Sequence, residues 1–265
     1  MSTDGSERAK TGLGALAAVV VLVLGVRAML LTAQLAAELG LRPLYLLSEI
    51  ALALPGILLL LVLRRPLAAS LALAPLGRSL ALRALGLGAT LWVASVGLMA
   101  AQSIVWPPEP AYLELFRKIH EALRPSGPLD ALLSVAAIAI VPAVCEEALL
   151  RGILLPSLLR VLGPAAGVLS SALLFAAIHL DPYRFAFTFV VGIALGVLRL
   201  RAGSLLAPIL AHALLNTITF AAAPFVDDPT STEPASPLLA TALLAVGTTL
   251  SVALLRTLRA EGEKR

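Results

Sequence analysis

Long apolar segments separated by short polar loops dominate the sequence. Eight such segments can be drawn, at residues 12–35, 44–63, 84–105, 130–155, 164–180, 185–200, 204–223 and 237–255. A helix of about 20 apolar residues spans the hydrocarbon core of a bilayer. The pattern therefore predicts an all-α fold, a polytopic transmembrane helical bundle of about eight spans.

The polar positions divide the chain into four regions. These are an N-terminal tail (1–11), a three-span region with a polar connection (12–129), a helical core (130–223), and an acidic loop with the last span and a basic tail (224–265). In the polar connection, Leu113, Phe116, Ile119 and Leu123 recur at helical spacing. This spacing predicts a short helix, which either lies on the membrane surface or packs as part of a loop.

The composition supports a membrane protein. Hydrophobic residues make up 59% of the chain and charged residues 14%, against about 45–50% and 25% in soluble domains. The net charge of +4 does not indicate nucleic-acid binding, because the basic residues lie in loops between apolar segments, where they orient spans. Their distribution predicts that both termini are cytoplasmic. A single cysteine excludes an internal disulfide.

The abundance of Arg over Lys, together with Ala, Leu, Gly and Pro, is typical of a GC-rich genome. It favours a bacterial protein of the inner (plasma) membrane.

The stretch Cys145–Arg151 places three ionisable side chains inside the fourth apolar segment. A charge at the bilayer centre costs about 2.5–3.5 kcal/mol on insertion scales, so each side chain must be paired or used. Glu147 and Arg151 are four residues apart, which lets them pair on one helix face. Glu146 lies about 100° away around the helix and has no local partner. It is therefore the candidate for proton-transfer chemistry.

Two further polar sets interrupt apolar helices, Phe175-x-x-x-His179 and His212-x-x-x-Asn216. A single histidine in a membrane helix is more often a hydrogen-bond donor between helices than a ligand or base. Combined with Glu146, however, two imidazoles and an amide form a hydrolytic set. A glutamate can take a proton from water, imidazoles can hold a metal or stabilise an oxyanion, and an amide can donate to that oxyanion.

These motifs resemble those of the CPBP (CAAX prenyl endopeptidase-like, or Abi) group of intramembrane proteases, which includes bacterial relatives. The resemblance covers about residues 130–220 and rests on three motifs in order: Glu146-Glu147-x-x-x-Arg151, Phe175-x-x-x-His179 and His212-x-x-x-Asn216. It implies a peptidase in which Glu146, His179, His212 and Asn216 are catalytic. It also implies supporting positions at Glu147, Arg151 and Phe175.

The resemblance leaves the metal open. His179, His212 and Glu146 would be the ligands of a zinc ion, with one position left for water; if Glu146 were a ligand, Glu147 would be the candidate base. Without zinc, Glu146 alone would activate the water.

The expected substrate is a membrane-anchored peptide or protein in the lipid bilayer, with no nucleic-acid partner. The alternative is a non-catalytic membrane protein, either a proton-coupled transporter or a bacteriocin self-immunity scaffold.

The predicted segment boundaries place Glu146 and His179 at different depths in the membrane. His179 falls at the end of the fifth segment, on the predicted outer side, whereas Glu146 falls deep in the fourth segment, nearer the cytoplasm. The two can meet only if the fourth segment begins later, or if the helices are tilted or broken. Asp181 and Tyr183, which follow His179, are expected at the mouth of the site.

Overall fold

The computed structural model describes residues 13–226 and 236–262, which form helices and no β-strand. The α-helices are α1 (Ala15–Ala36), α2 (Leu41–Val62), α3 (Leu67–Ser70), α4 (Arg78–Val105), α5 (Pro110–Leu123), α6 (Pro128–Val135), α7 (Val141–Glu147), α8 (Leu155–Ile178), α9 (Phe185–Ala202), α10 (Leu206–Val226) and α11 (Pro237–Gly262). Two π-helical stretches, π1 (Ala136–Ile140) and π2 (Ala148–Leu154), join α6 to α7 and α7 to α8. The all-α prediction is confirmed.

Six helices of the described residues are long and apolar enough to cross a membrane. They are Ala15–Ala36, Leu41–Val62, Arg78–Val105, Pro128–Ile178, Phe185–Ala202 and Pro237–Leu258, with Leu206–Ala222 as a shorter apolar helix. The 51-residue run contains two of the eight predicted segments. The protein is therefore a multi-pass membrane protein. The predicted tail at 1–11 and residues 227–235 of the predicted acidic loop lie outside the described residues.

The chain reverses direction inside the long run. Gly163, with a φ of 77° and a ψ of 176°, breaks α8 immediately before Pro164. The two arms then pack together, with the Ser171 hydroxyl 3.4 Å from the carbonyl of Leu150. A Cβ on Gly167 would lie only 3.1 Å from the Cα of Leu159. The run is therefore a helical hairpin with its bend at Gly163.

The hairpin corrects the predicted end of the fourth segment. The helix does not end at residue 155 but continues to residue 162, through the stretch assigned to a loop. Glu146 and His179 then lie 17 and 16 residues from Gly163 along opposite arms. Two positions equally far from the bend of a hairpin lie at similar depth, so the mismatch between Glu146 and His179 disappears.

The π-helical stretches flank the segment that carries the two glutamates. π1 ends one residue before α7, and π2 begins directly after Glu147 and includes Arg151. A π-bulge adds a residue to a helical turn and often marks a functional site, because it changes which side chains face the interior. Here it accompanies complete burial of Glu147 and Arg151.

Small residues bring the site helices close to the rest of the bundle. A Cβ on Gly88 of α4 would lie 2.3 Å from the carbonyl oxygen of Ala211. Only glycine permits this approach, which places the backbone next to His212 directly against α4. Close contact through small residues is a common way for membrane helices to pack.

The helix predicted in the polar connection is confirmed as α5. Arg117 pairs with Glu114 and Glu121 on its polar face. The Arg117 hydrogen bond lowers the pKa of Glu114 to about 2. Leu123, at the opposite face, is buried. The helix thus has one charged and one packed face.

Candidate active site

Glu147 and Arg151 form a fully buried ion pair. An Arg151 Nη1–H donates to Glu147 Oε1 at 2.8 Å, and an Nη2–H donates to the carbonyl of Gly192 at 3.0 Å. Both side chains are 0% exposed. The pair predicted from the four-residue spacing is confirmed. It ties the 128–178 hairpin to α9.

The ring of Phe175 lies at the centre of the site. The Cζ atom of Arg151 is 4.4 Å from the ring centroid, a cation–π distance. The rings of His179 and His212 approach edge-on, with centroids 5.0 and 5.6 Å away. Phe175 therefore sets the position of both imidazoles relative to the buried arginine.

His212 connects the two glutamates. Its Nδ1 lies 3.1 Å from Glu147 Oε1, which also accepts the Arg151 hydrogen bond. Since that oxygen is an acceptor, Nδ1 carries the proton and donates. In a neutral ring Nε2 is then unprotonated. This Nε2 lies 3.9 Å from Glu146 Oε2, which is too far for a direct hydrogen bond.

His179 is oriented in the same way by its own helix. Its Nδ1 lies 2.8 Å from the carbonyl oxygen of Phe175. A carbonyl only accepts, so Nδ1 must donate, and the Nε2 of the neutral ring is free to accept. Both site histidines therefore have one nitrogen fixed by the protein and one available for another group.

Glu146 makes fewer contacts than Glu147: Glu147 Oε1 bonds with Arg151 and His212, although the Oε2 of each glutamate lacks a partner among the described residues. The residue is 7% exposed, and its Oε2 is buried without a hydrogen bond among the described residues. A buried carboxylate oxygen without a partner costs free energy. Such an atom is expected where a water or substrate binds.

A small cavity lies beside the imidazoles. His179, Arg184, Thr188, His212 and Asn216 contribute its polar lining, and its volume is about 20 Å³. That space holds about one water molecule. Glu146 does not line this cavity, and within the described part of the chain it makes no hydrogen bond or ion pair with His179. His212 links Glu146 to the cavity, because it lines the cavity and lies 3.9 Å from Glu146.

The loop after His179 is tightly held. Asp181 Oδ1 accepts the backbone N–H groups of Tyr183 and Arg184 at 3.0 and 3.1 Å. Its Oδ2 accepts the hydroxyl of Tyr112 on α5 at 2.9 Å. Asp181 therefore fixes the start of α9 and links it to α5, while its place at the mouth of the site stays a prediction.

Sequence reasoning missed two residues near the site. Glu49 on α2 has a buried Oε2 without a partner among the described residues, and its charge interacts with that of Glu146. An acidic residue inside the second apolar segment was a visible signal for it. Arg184 was counted only as a loop charge. No sequence signal placed its side chain at the cavity, since that depends on how α9 packs.

The donors present do not fit a zinc ion. The described residues contain no group of three or more His, Cys, Asp or Glu side chains that could hold a metal. Of the three predicted ligands, Glu146 and His212 lie 3.9 Å apart, whereas His179 and His212 line a cavity that Glu146 does not line. The zinc assignment stays a prediction.

Taken together, these contacts define a polar site built from three apolar helices inside a multi-pass membrane protein. A family model described as "Type II CAAX prenyl endopeptidase Rce1-like" matches residues 128–218. No curated protein and no solved structure was found to match the chain.

The matched range contains all seven site residues named from the motifs. Over residues 128–218 the chain is thus similar to the CAAX protease family, in agreement with the motif resemblance. The family supports an intramembrane protease of CAAX type.

Proposed function

We propose that this protein is an intramembrane endopeptidase that cleaves a membrane-anchored peptide or protein with a water molecule activated by Glu146. The observation that carries the proposal is the 3.9 Å gap between Glu146 Oε2 and His212 Nε2, where the buried Oε2 has no hydrogen-bond partner among the described residues. A water molecule about 2.8 Å from each atom can donate one proton to each, which leaves its lone pairs available for attack.

In the proposed reaction, Glu146 takes one proton from this water while the water oxygen bonds to the carbonyl carbon of the scissile peptide. The electron pair of the C=O double bond moves to the carbonyl oxygen and forms an oxyanion. When the oxyanion collapses, the C–N bond breaks, and the nitrogen takes the proton held by Glu146. The products are a carboxylic acid and an amine, with the glutamate returned to its starting form.

The histidines and Asn216 have complementary roles in this proposal. The Glu147 hydrogen bond to Nδ1 presents His212 Nε2 to the water. His179 and Asn216 line the one-water cavity, where the amide of Asn216 is a donor for the oxyanion. Glu147, Arg151 and Phe175 support the site by fixing the imidazoles.

The surroundings of the site favour a substrate that arrives within the membrane. Val144 and Leu180, which neighbour Glu146 and His179, are exposed on the bundle surface at 42% and 63%. Exposed apolar side chains on the helices that carry the site form a surface suited to lipid, from which an anchored substrate would arrive. The anchor of the substrate is a C-terminal apolar helix or, as the family description suggests, a prenyl group.

The test is cleavage by the purified protein in detergent or liposomes. Two substrates are compared, a peptide with an apolar anchor helix and a prenylated CAAX peptide, with product ends assigned by mass spectrometry. Glu146→Gln is expected to lower the rate by about 10³-fold or more, since it removes the general base.

Glu121→Gln on α5 is the matched control, because it makes the same chemical change on an exposed side chain. It should keep the wild-type rate. Full activity in Glu146→Gln, with the fold unchanged by circular dichroism, would reject Glu146 as the base.

A further inference from the structure

Arg184 brings a permanent positive charge to the cavity that the proposed reaction uses. It is half-buried at the start of α9, and it lines the cavity together with His179, His212 and Asn216. Neither the motifs nor the roles given above assign it a function.

The guanidinium of Arg184 has no acidic partner among residues 13–226 and 236–262. The nearest acid in sequence, Asp181, uses Oδ1 for two backbone N–H groups and Oδ2 for Tyr112. No carboxylate of the described residues lies within 4.0 Å of the Arg184 guanidinium nitrogens. By contrast, Arg151 is paired with Glu147 and also contacts Gly192 and Phe175, although its Nε has no partner among the described residues.

The charge of Arg184 still acts on the site. It interacts electrostatically with the imidazole of His179 and with the carboxyl group of Glu146. It also interacts electrostatically with Tyr112 of α5. An unpaired cation that reaches several site groups is suited to a negative charge supplied by something else.

The other cavity groups are weaker candidates for that task. The imidazoles of His179 and His212 already use Nδ1 on the Phe175 carbonyl and on Glu147, and in the neutral form each leaves Nε2 as an acceptor. They therefore offer acceptors to the cavity, and Asn216 offers a neutral amide. An oxyanion that formed there would meet a full positive charge only at Arg184.

We infer that Arg184 is a further catalytic residue, whose guanidinium stabilises the oxyanion formed when water adds to the scissile carbonyl, with Asn216 as the second donor. This inference rests on the proposed peptidase function. The cavity of about 20 Å³ suits one oxygen atom rather than a substrate carboxylate. In a water-poor site, a fixed charge beside a developing anion is a large source of rate enhancement.

The experiment measures kcat and KM of Arg184→Gln, Arg184→Lys and Arg184→Ala on the substrate that the wild-type protein cleaves. Loss of an oxyanion donor lowers kcat by about 10²–10³-fold, and we expect a loss of this size for Arg184→Gln. Its KM should change less than about threefold, which is the pattern for an interaction made only in the transition state. Lys keeps the charge and should retain more activity than Gln. Millimolar guanidinium should partly restore kcat in Arg184→Ala.

Arg124→Gln is the matched control, because Arg124 is an exposed arginine at the end of α5. It should match the wild type, and the melting temperature of each variant shows whether the fold survives. An Arg184→Gln variant with normal kcat overturns the inference, as does an effect confined to KM.

The two proposals fail differently. If the wild type cleaves and Glu146→Gln does not, while Arg184→Gln is normal, only the role of Arg184 is wrong. If the wild type leaves every anchored peptide intact, the proposed function is wrong and this inference with it.

Discussion

Glu146 and Glu147 are adjacent in the chain, yet the structure surrounds them with different partners. On the closed side of the site, defined by Glu147, Arg151, Phe175 and Gly192, hydrogen bonds and a cation–π contact join three helices. On the open side, defined by Glu146, His179, Arg184 and Asn216 with the cavity, Glu146 Oε2 has no partner among the described residues. His212 touches both sides.

The difference shows how a membrane helix can hold two carboxylates for two purposes. Removing a charge from water is costly, and the cost is offset only when its partners are well placed. Glu147 has such partners and is completely buried. Glu146 makes no hydrogen bond among the described residues, which leaves its carboxyl group available to bind water. We interpret the closed side as scaffold and the open side as the place of chemistry.

The largest effect is expected from His212→Ala, because this residue contacts both sides. Removing Nε2 should lower the cleavage rate by about 10²–10⁴-fold. Losing the buried Nδ1 hydrogen bond to Glu147 should also destabilise the fold by about 1–3 kcal/mol. Cleavage assays and thermal unfolding in detergent measure the two effects. A loss confined to one of them would show that His212 serves one side only.

Arg151→Met removes contacts on the closed side only. It leaves Glu147 buried without its cation, so we expect a loss of about 3–5 kcal/mol in unfolding free energy. Cleavage per folded molecule should fall less than about tenfold, since the open side keeps its residues. The double variant Arg151→Met/Glu147→Gln removes both charges and should recover part of the stability. No recovery would mean that the pair matters for another reason.

The smallest effect is expected from metal removal. Because the described donors form no group of three around one point, dialysis of the protein against a chelator should change the cleavage rate less than about twofold. Elemental analysis of the wild type and of His179→Ala provides the control. Activity that is lost to the chelator and restored by zinc would restore His179, His212 and Glu146 as ligands.

The sequence predicted different roles for Glu146 and Glu147, but not all of the residues that surround them. The four-residue spacing of Glu147 and Arg151 predicted their pair, because a helix fixes local geometry. The predicted depth of Glu146 was wrong, since Pro156, Ser157 and Arg160 were read as a loop although the helix continues through them to residue 162. Arg184 was missed because its place at the cavity depends on packing between helices far apart in the chain.

The central claim is that Glu146 activates the water, whereas Glu147 stabilises the fold. One paired measurement tests this claim most directly. Glu146→Gln and Glu147→Gln change the same atoms one residue apart, and each is assayed for cleavage and for melting temperature. Glu146→Gln should lose cleavage and keep its melting temperature within about 2 °C, whereas Glu147→Gln should lose about 3 kcal/mol of stability and keep measurable cleavage. The reverse pattern, a stable inactive Glu147→Gln beside a destabilised active Glu146→Gln, would contradict the account.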